Sequence, residues 1–317
     1  MPRRLKWARV AVALQILASG FAAGAVYGLV AVGHSLVFRL TGVVHFAFGE
    51  LIALGVFVTL LVAAGSGPVS QTSVGGARFL LALAIGLVVT AGASAGAYFL
   101  AIEPYRARGS VIGWVGASLA VAFAVRTLLV VFFDRPAYVF PDPLPFRRIA
   151  DGGFWHVGGA TIQVRTIFVA VAALLLAGLG SALLRHTRFG RALEAIAQDF
   201  DAAVLVGLPV ARLVGVAFAL AGVWAGLAAI LAAPSAAFDV DAAARYGLYG
   251  LVAAAVVWFD PRRALSAGIA LGLIQATVTS AHIGTFELGP AYRDVIPLGL
   301  GLLLFAWRAR TMTEAVE

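Results

Sequence analysis

The sequence predicts an all-α polytopic membrane protein of about eight to nine transmembrane helices, with a broken or re-entrant segment near residues 34–50. Three observations carry this. Nine runs without a charged residue recur along the 317 residues. The chain is 62% hydrophobic and only 12% charged, roughly half the ~25% of a soluble domain. No strand-like alternation typical of an outer-membrane barrel appears, so the spans are helices.

A membrane helix needs about 20 mainly apolar residues. The runs are Val10–Gly33, Leu51–Ala77, Phe79–Ile102, Val111–Val125 (continuing past Arg126 to Phe133), Ile167–Leu184, Leu213–Phe238, Tyr246–Phe259, Ala264–Phe286 and Val295–Trp307. The basic start, MPRRLKWARV, resembles a signal peptide. The 24 uncharged residues after it are too many for a signal core, so a retained first span is expected. The stretch His34–Glu50 is apolar but punctuated by His34, Arg39, Gly42, His45, Gly49 and Glu50. Such a pattern suits a broken or short buried helix, tolerated where protein or a watery cavity satisfies its backbone. One transmembrane domain is expected over 1–317.

Lys and Arg set the expected orientation. Placing the N-terminus, 103–110, 185–212, 260–263 and the C-terminal tail on the cytoplasmic side puts 14 of the 23 basic residues there, against 7 opposite. That predicts cytoplasmic N- and C-termini. The outer side receives Asp134–Arg165, where Pro136, Pro141, Pro143 and Pro145 exclude a helix. FWHVGGATIQVRT, around Gly158 and Gly159, predicts a small hairpin there. A net charge of +8 is explained by lipid headgroups and this bias rather than by nucleic acid.

One stretch is out of keeping: GRALEAIAQDFDAAVLVGLPVARL, Gly190–Leu213. At helical spacing Leu193, Ile196, Phe200 and Val204 form one stripe, with Glu194, Gln198 and Asp201 opposite. This predicts an amphipathic helix over Arg191–Val206, about 24 Å long. Gly207 would end it, with Pro209 just beyond. Its acids, Glu194, Asp199 and Asp201, disfavour a helix lying on headgroups, because interfacial helices favour Lys and Arg. A helix docked by its oily face, with its charged face toward a soluble partner, fits better.

This loop is similar to the EAA loop of ABC-importer permeases, through Gly190–Arg191–Ala192, Glu194–Ala195 and Gly207–Leu208–Pro209. Phe21–Glu50 resembles the first block of the high-affinity branched-chain amino-acid permeases, the Liv type. It matches at Gly24, Tyr27, Leu29, Ala31, Gly33, Gly42, Phe46, Ala47, Gly49 and Glu50, and IEPYRARG, Ile102–Gly109, resembles a cytoplasmic turn of that family. The family's Asn-Phe-Ala-His is His45-Phe46-Ala47-Phe48 here. Its glycine-rich late turn is Trp258-Phe259-Asp260-Pro261-Arg262-Arg263-Ala264, and its terminal Pro-x-Gly is replaced by WRART.

The resemblance implies the permease subunit of an ABC importer. It would move branched-chain or related amino acids inward by alternating access, and would itself be no enzyme. The coupling residues it implies are Gly190, Arg191, Glu194, Ala195, Asp199, Asp201, Gly207 and Pro209. The implied partners are ABC ATPase subunits, a second permease subunit, a periplasmic or extracellular solute-binding protein and membrane lipid. Lys6 is the only lysine and no P-loop is present, so ATP and Mg²⁺ would belong to a partner ATPase, with no cofactor or metal in this chain. Arg39, His45 and Glu50 are candidates for the substrate path, because ionisable groups at membrane depth are costly to place. Arg126 and His282 are isolated and read as snorkelling or interhelical groups. An ion-coupled carrier is the alternative; it needs mid-membrane carboxylates, and Glu50 alone qualifies.

Overall fold

The computed structural model describes residues 2–65, 74–106, 110–133, 138–141, 153–157, 159–235, 237–280, 282–283, 286–287 and 292–313. Helix α1 (Pro2–Thr41) leads to α2 (Phe48–Ala64) and α3 (Gly76–Gly96), which continues through a π-helical turn, Ala97–Ile102, into α4 (Glu103–Arg106). Then come α5 (Val111–Phe132), strands β1 (Tyr138–Val139), β2 (Phe154–Val157) and β3 (Ala160–Gln163), and α6 (Val164–His186). Helices α7 (Arg188–Gln198), α8 (Phe200–Leu205) and α9 (Val210–Ala232) follow, then β4 (Ala237–Phe238), α10 (Val240–Val256) and α11 (Pro261–Thr279). Strands β5 (His282–Ile283) and β6 (Phe286–Glu287) precede α12 (Val295–Thr313).

Among the described residues five helices are long and apolar enough to cross a membrane, or six if α10 and α11, bent by 119°, count as one span. The eight or nine expected are not reached by that measure. The α2 and α12 segments are too short for it. Helix α2 is buried among its neighbours and needs no lipid-length apolar run, because they satisfy it, whereas α12 is exposed along Leu302, Leu303 and Leu304.

Small residues set the centre of the bundle. A Cβ on Gly24 would stand 2.6 Å from the Ile269 Cα, and one on Gly268 or Gly272 would overlap the α1 backbone at Gly28 or Gly24. The α1–α11 seam is therefore a contact of backbone on backbone, closed by glycines on both sides. Its register, Gly20 beside Gly272, Gly24 beside Gly268 and Gly28 beside Leu265, makes α1 and α11 antiparallel. On another face, α2 and α3 interlock through Thr59 against Gly86 and Thr90 against Gly55.

The break expected over residues 34–50 is narrower than predicted. His34 and Arg39 remain in α1, and only Gly42–Ala47 leaves the helix. Gly42, at φ +72°, turns the chain, with its N–H donating to the Phe38 carbonyl at 2.7 Å. The chain then climbs back, so that Phe48 packs on Gly33.

The expected hairpin is present: β2 and β3 pair antiparallel, Phe154 with Gln163 through to Val157 with Ala160. Residues 134–137 and 142–152 of that loop, with Pro136, Pro143 and Pro145, lie outside the described residues. The hairpin corrects the orientation. A Cβ on Gly159 would sit 3.5 Å from the Ala11 Cβ, so the start of α1 lies at the hairpin end. The last turns of α1, with the ends of α6, α7 and the start of α11, line one cavity at the opposite end. An outer hairpin, a cytoplasmic 185–212 loop and a cytoplasmic N-terminus cannot all hold. Moving Arg3, Arg4, Lys6 and Arg9 across also erases the excess of basic residues on which the orientation rested. At the other terminus, Phe305 of α12 stacks on Trp258, placing the end of α12 with α7.

Candidate functional site

The α7 end is built from the turns that enter and leave α7 and α8. Thr187 caps α7, its Oγ1 accepting the Gly190 N–H at 3.0 Å while donating to the Leu183 carbonyl at 2.6 Å. One hydroxyl thus ties the end of α6 to the start of α7. Gly190 lies in the first turn of α7, and a Cβ there would collide with the Leu184 carbonyl. Only glycine allows α7 to fold so tightly against α6.

The single helix expected over Arg191–Val206 is instead two. It starts earlier, at Arg188, and breaks at Asp199, whose extended backbone (φ −152°, ψ 106°) ends α7. The Asp199 carboxylate then accepts the Ala202 N–H at 2.9 Å and caps α8. Aspartate competes well for exposed N–H groups, which explains the break. The apolar stripe therefore divides. Leu193 and Ile196 are buried, at 3% and 2% exposure, whereas Val204, Leu205 and Val206 are 51%, 87% and 77% exposed. In their place Ala203 turns inward. Gly207 closes α8 at φ +83°, and the Leu208 N–H returns to the Ala203 carbonyl at 3.1 Å. Pro209 stands at the N-cap of α9.

Arg191, Glu194, Ala195, Asp199 and Asp201 are all exposed, with Glu194 at the edge of the cavity. Glu194 reaches across to Arg262 in the first turn of α11, at 3.9 Å. The α10–α11 turn is thereby joined to α7, a connection that spacing along either segment does not reveal.

The three path candidates do not form one constellation. Arg39 is exposed and lines the cavity at the α7 end. His45 is buried in the break, its ring against Phe218 and Phe48 at 5.4 and 6.3 Å; among the described residues neither ring nitrogen has a hydrogen-bond partner. Glu50, in the first turn of α2, receives a hydrogen bond from Arg126 of α5 at 3.3 Å. The same guanidinium donates to Asp241 at the start of α10. Arg126 is thus interhelical, holding α2, α5 and α10 together. Asp241, absent from the sequence-based candidates, completes that cluster. His34 donates to the Gly247 carbonyl at 3.1 Å and links α1 to α10.

Comparison with known proteins follows this geometry. A family model described as the permease component of branched-chain amino acid transport systems matches residues 16–306. The chain is 23% identical over 311 residues to the high-affinity branched-chain amino acid transport system permease protein BraD of Pseudomonas aeruginosa, covering 93% of this chain and 94% of that one. It is 24% identical over 309 residues to the corresponding protein LivH of Escherichia coli K12, covering 92% of each. Among solved structures, PsaBC from Streptococcus pneumoniae in complex with Fab aligns with a TM-score of 0.48 and 14% identity, over 90% of this chain and 89% of that one; a likeness this loose carries no argument.

Proposed function

This chain belongs to the branched-chain amino acid transport system permease family, and we propose that it is the membrane subunit through which an ABC importer moves branched-chain or related amino acids inward. The observation that carries the coupling role is the split helix α7–α8. It is sealed to the bundle by Leu193 and Ile196 and presents acids and an apolar tip outward. A partner ATPase would grip this surface. Closure of that ATPase on ATP would move α7, and with it the ends of α6 and α9 and, through Glu194 and Arg262, the α10–α11 turn. The chain would then exchange outward- and inward-facing states, driven by differential binding to the two.

On this reading the α7 end is cytoplasmic in a bacterial inner membrane. Helices α1, α2, α3, α5, α6, α9, α10, α11 and α12 make nine crossings, with the N-terminus outside and the C-terminus inside. Glu50 and His45 border the path, and few other strong ligand groups are needed, because a solute-binding protein would supply the affinity. A second permease subunit completes the membrane domain.

Two experiments test this. Reconstituted with ATPase, second permease and binding protein, Glu194→Trp and Gly207→Leu should keep hydrolysing ATP while amino-acid uptake falls at least tenfold. Unchanged uptake with normal ATPase retention in both variants rules out the coupling surface. The chain has no cysteine, so single cysteines report sidedness directly. An impermeant thiol reagent added outside intact cells should label Pro2→Cys and, at the exposed Thr161 of the hairpin, Thr161→Cys, but not Asp201→Cys; the reverse pattern rules out the orientation.

A further inference from the structure

The cavity at the α7 end, about 230 Å³, lies between α1, α6, α7 and α11. Its rim and its walls differ in chemistry. Arg39, Arg185 and Arg262 stand around it with a single acid, Glu194. Glu194 meets only Arg262, at 3.9 Å, and among the described residues Arg39 and Arg185 have no acidic partner. Below the rim the walls are apolar: Val32 and Leu36 from α1, Ala177 from α6 and Leu265 from α11. By helical spacing Leu174 lies on the same face of α6 as Ala177 and Ser181, which line the cavity, and at 37% exposure it extends the apolar surface outward.

Unmatched guanidinium groups above an apolar trough that leads onto a lipid-length helix fit one class of molecule. It has an anionic head and a hydrocarbon tail. Guanidinium groups bind phosphate oxygens in a planar, two-pronged manner, and basic pockets between membrane helices at the headgroup level recognise acidic lipids. We propose that this cavity is a binding site for an acidic phospholipid of the leaflet at the α7 end. The phosphate lies among Arg39, Arg185 and Arg262, and one acyl chain runs along α6. A bound lipid would sit beneath Leu193 and Ala197 of α7, which also line the cavity, and would cushion the helix on which the proposed coupling acts. Lipid binding itself is read on this chain alone and stands or falls independently of any ATPase.

Native mass spectrometry of the purified full-length chain tests this, with phosphatidylglycerol and phosphatidylcholine of identical acyl chains offered in equal amounts. Phosphatidylglycerol should be retained at least tenfold over phosphatidylcholine. The preference should vanish in Arg39→Gln/Arg185→Gln and persist in Arg39→Lys/Arg185→Lys. Equal retention of the two lipids by the natural chain, or an undiminished preference in the glutamine variant, overturns the proposal. So does inorganic phosphate if it raises the melting temperature as much as phosphatidylglycerol does, because the site would then take a free anion. A photoreactive phosphatidylglycerol with a diazirine on its acyl chain keeps the test open should the glutamine variant misfold. On the natural chain its adducts should fall within residues 171–197, and adducts confined elsewhere overturn the site.

Discussion

Two turns at the α7 end bend the backbone in the same left-handed sense by different means. Between α8 and α9, Gly207 adopts φ +83°, and a Cβ there would meet nothing within 4 Å. Between α10 and α11, Trp258 and Phe259 adopt φ 57° and 52°, where a residue with a side chain is strained by roughly 1–2 kcal/mol. The second turn offsets its strain with contacts. Phe259 stacks on Phe38 of α1 at 3.9 Å, Trp258 stacks on Phe305 of α12 at 5.3 Å, and Asp260 accepts the Arg262 N–H at 3.0 Å to cap α11. The glycine turn is open at Gly207 itself. The aromatic turn is pinned to the first and last helices. One side of the proposed coupling surface is thus a hinge and the other an anchor.

The anchor is where a substitution should cost most. Phe259 is 5% exposed, and truncating a buried phenylalanine costs about 3 kcal/mol or more. Phe259→Ala should therefore lower the melting temperature of the purified chain by more than any substitution at Gly207, Glu194 or Arg262. Phe259→Gly removes the same ring but also releases the backbone strain, and should be milder than alanine by about 1 kcal/mol. Melting temperatures in the order natural, glycine, alanine would show both terms at once. A glycine variant no better than alanine would show that no strain is stored there.

At the hinge the expected ranking reverses. Gly207→Asn should be tolerated, because asparagine visits the left-handed region readily, whereas a β-branched residue does not. Gly207→Val should cost about 1–2 kcal/mol locally and little in global melting, since nothing packs against the position. Uptake by the reconstituted transporter is the measurement that separates the two variants. Equal uptake in both would mean that the handedness of this turn is not needed for coupling.

The helical spans are legible in the sequence because uncharged runs of membrane length have no other stable reading, and α7 is legible because Leu193 and Ile196 keep a 3.6-residue period. Where α7 ends is not. By its position on the helical wheel Asp199 is one more charge on the outer face, although an aspartate before Phe200 is also a helix cap, and the cap decides the outcome. The orientation of α1 is hidden for a different reason. Arg3, Arg4, Lys6 and Arg9 are local signals, whereas the antiparallel glycine seam that fixes α1 joins residues far apart in the chain. Arg126 looks isolated on the same grounds, since its partners Glu50 and Asp241 lie 76 and 115 residues away. The left-handed aromatic turn is visible only as a departure from the glycine-rich pattern of the family, with no local clue that Phe38 and Phe305 hold it.

The link between hinge side and anchor is the smallest effect expected, and the most informative about the assembled state. Glu194 and Arg262 stand 3.9 Å apart with side chains 48% and 64% exposed. An exposed pair of this kind contributes about 0.2–1 kcal/mol at most, after solvent screening. In the isolated chain a double-mutant cycle with Glu194→Gln and Arg262→Gln should give a coupling energy near the bottom of that range, by thermal or denaturant unfolding. If an ATPase covers α7, the pair loses its water and the same cycle, read as uptake, should give a larger value. Charge reversal, Glu194→Arg with Arg262→Glu, should then recover most of what either single reversal loses. A cycle that stays equally small in the transporting complex would show that the anchor and α7 move independently, and that the aromatic turn only braces α1 against α12.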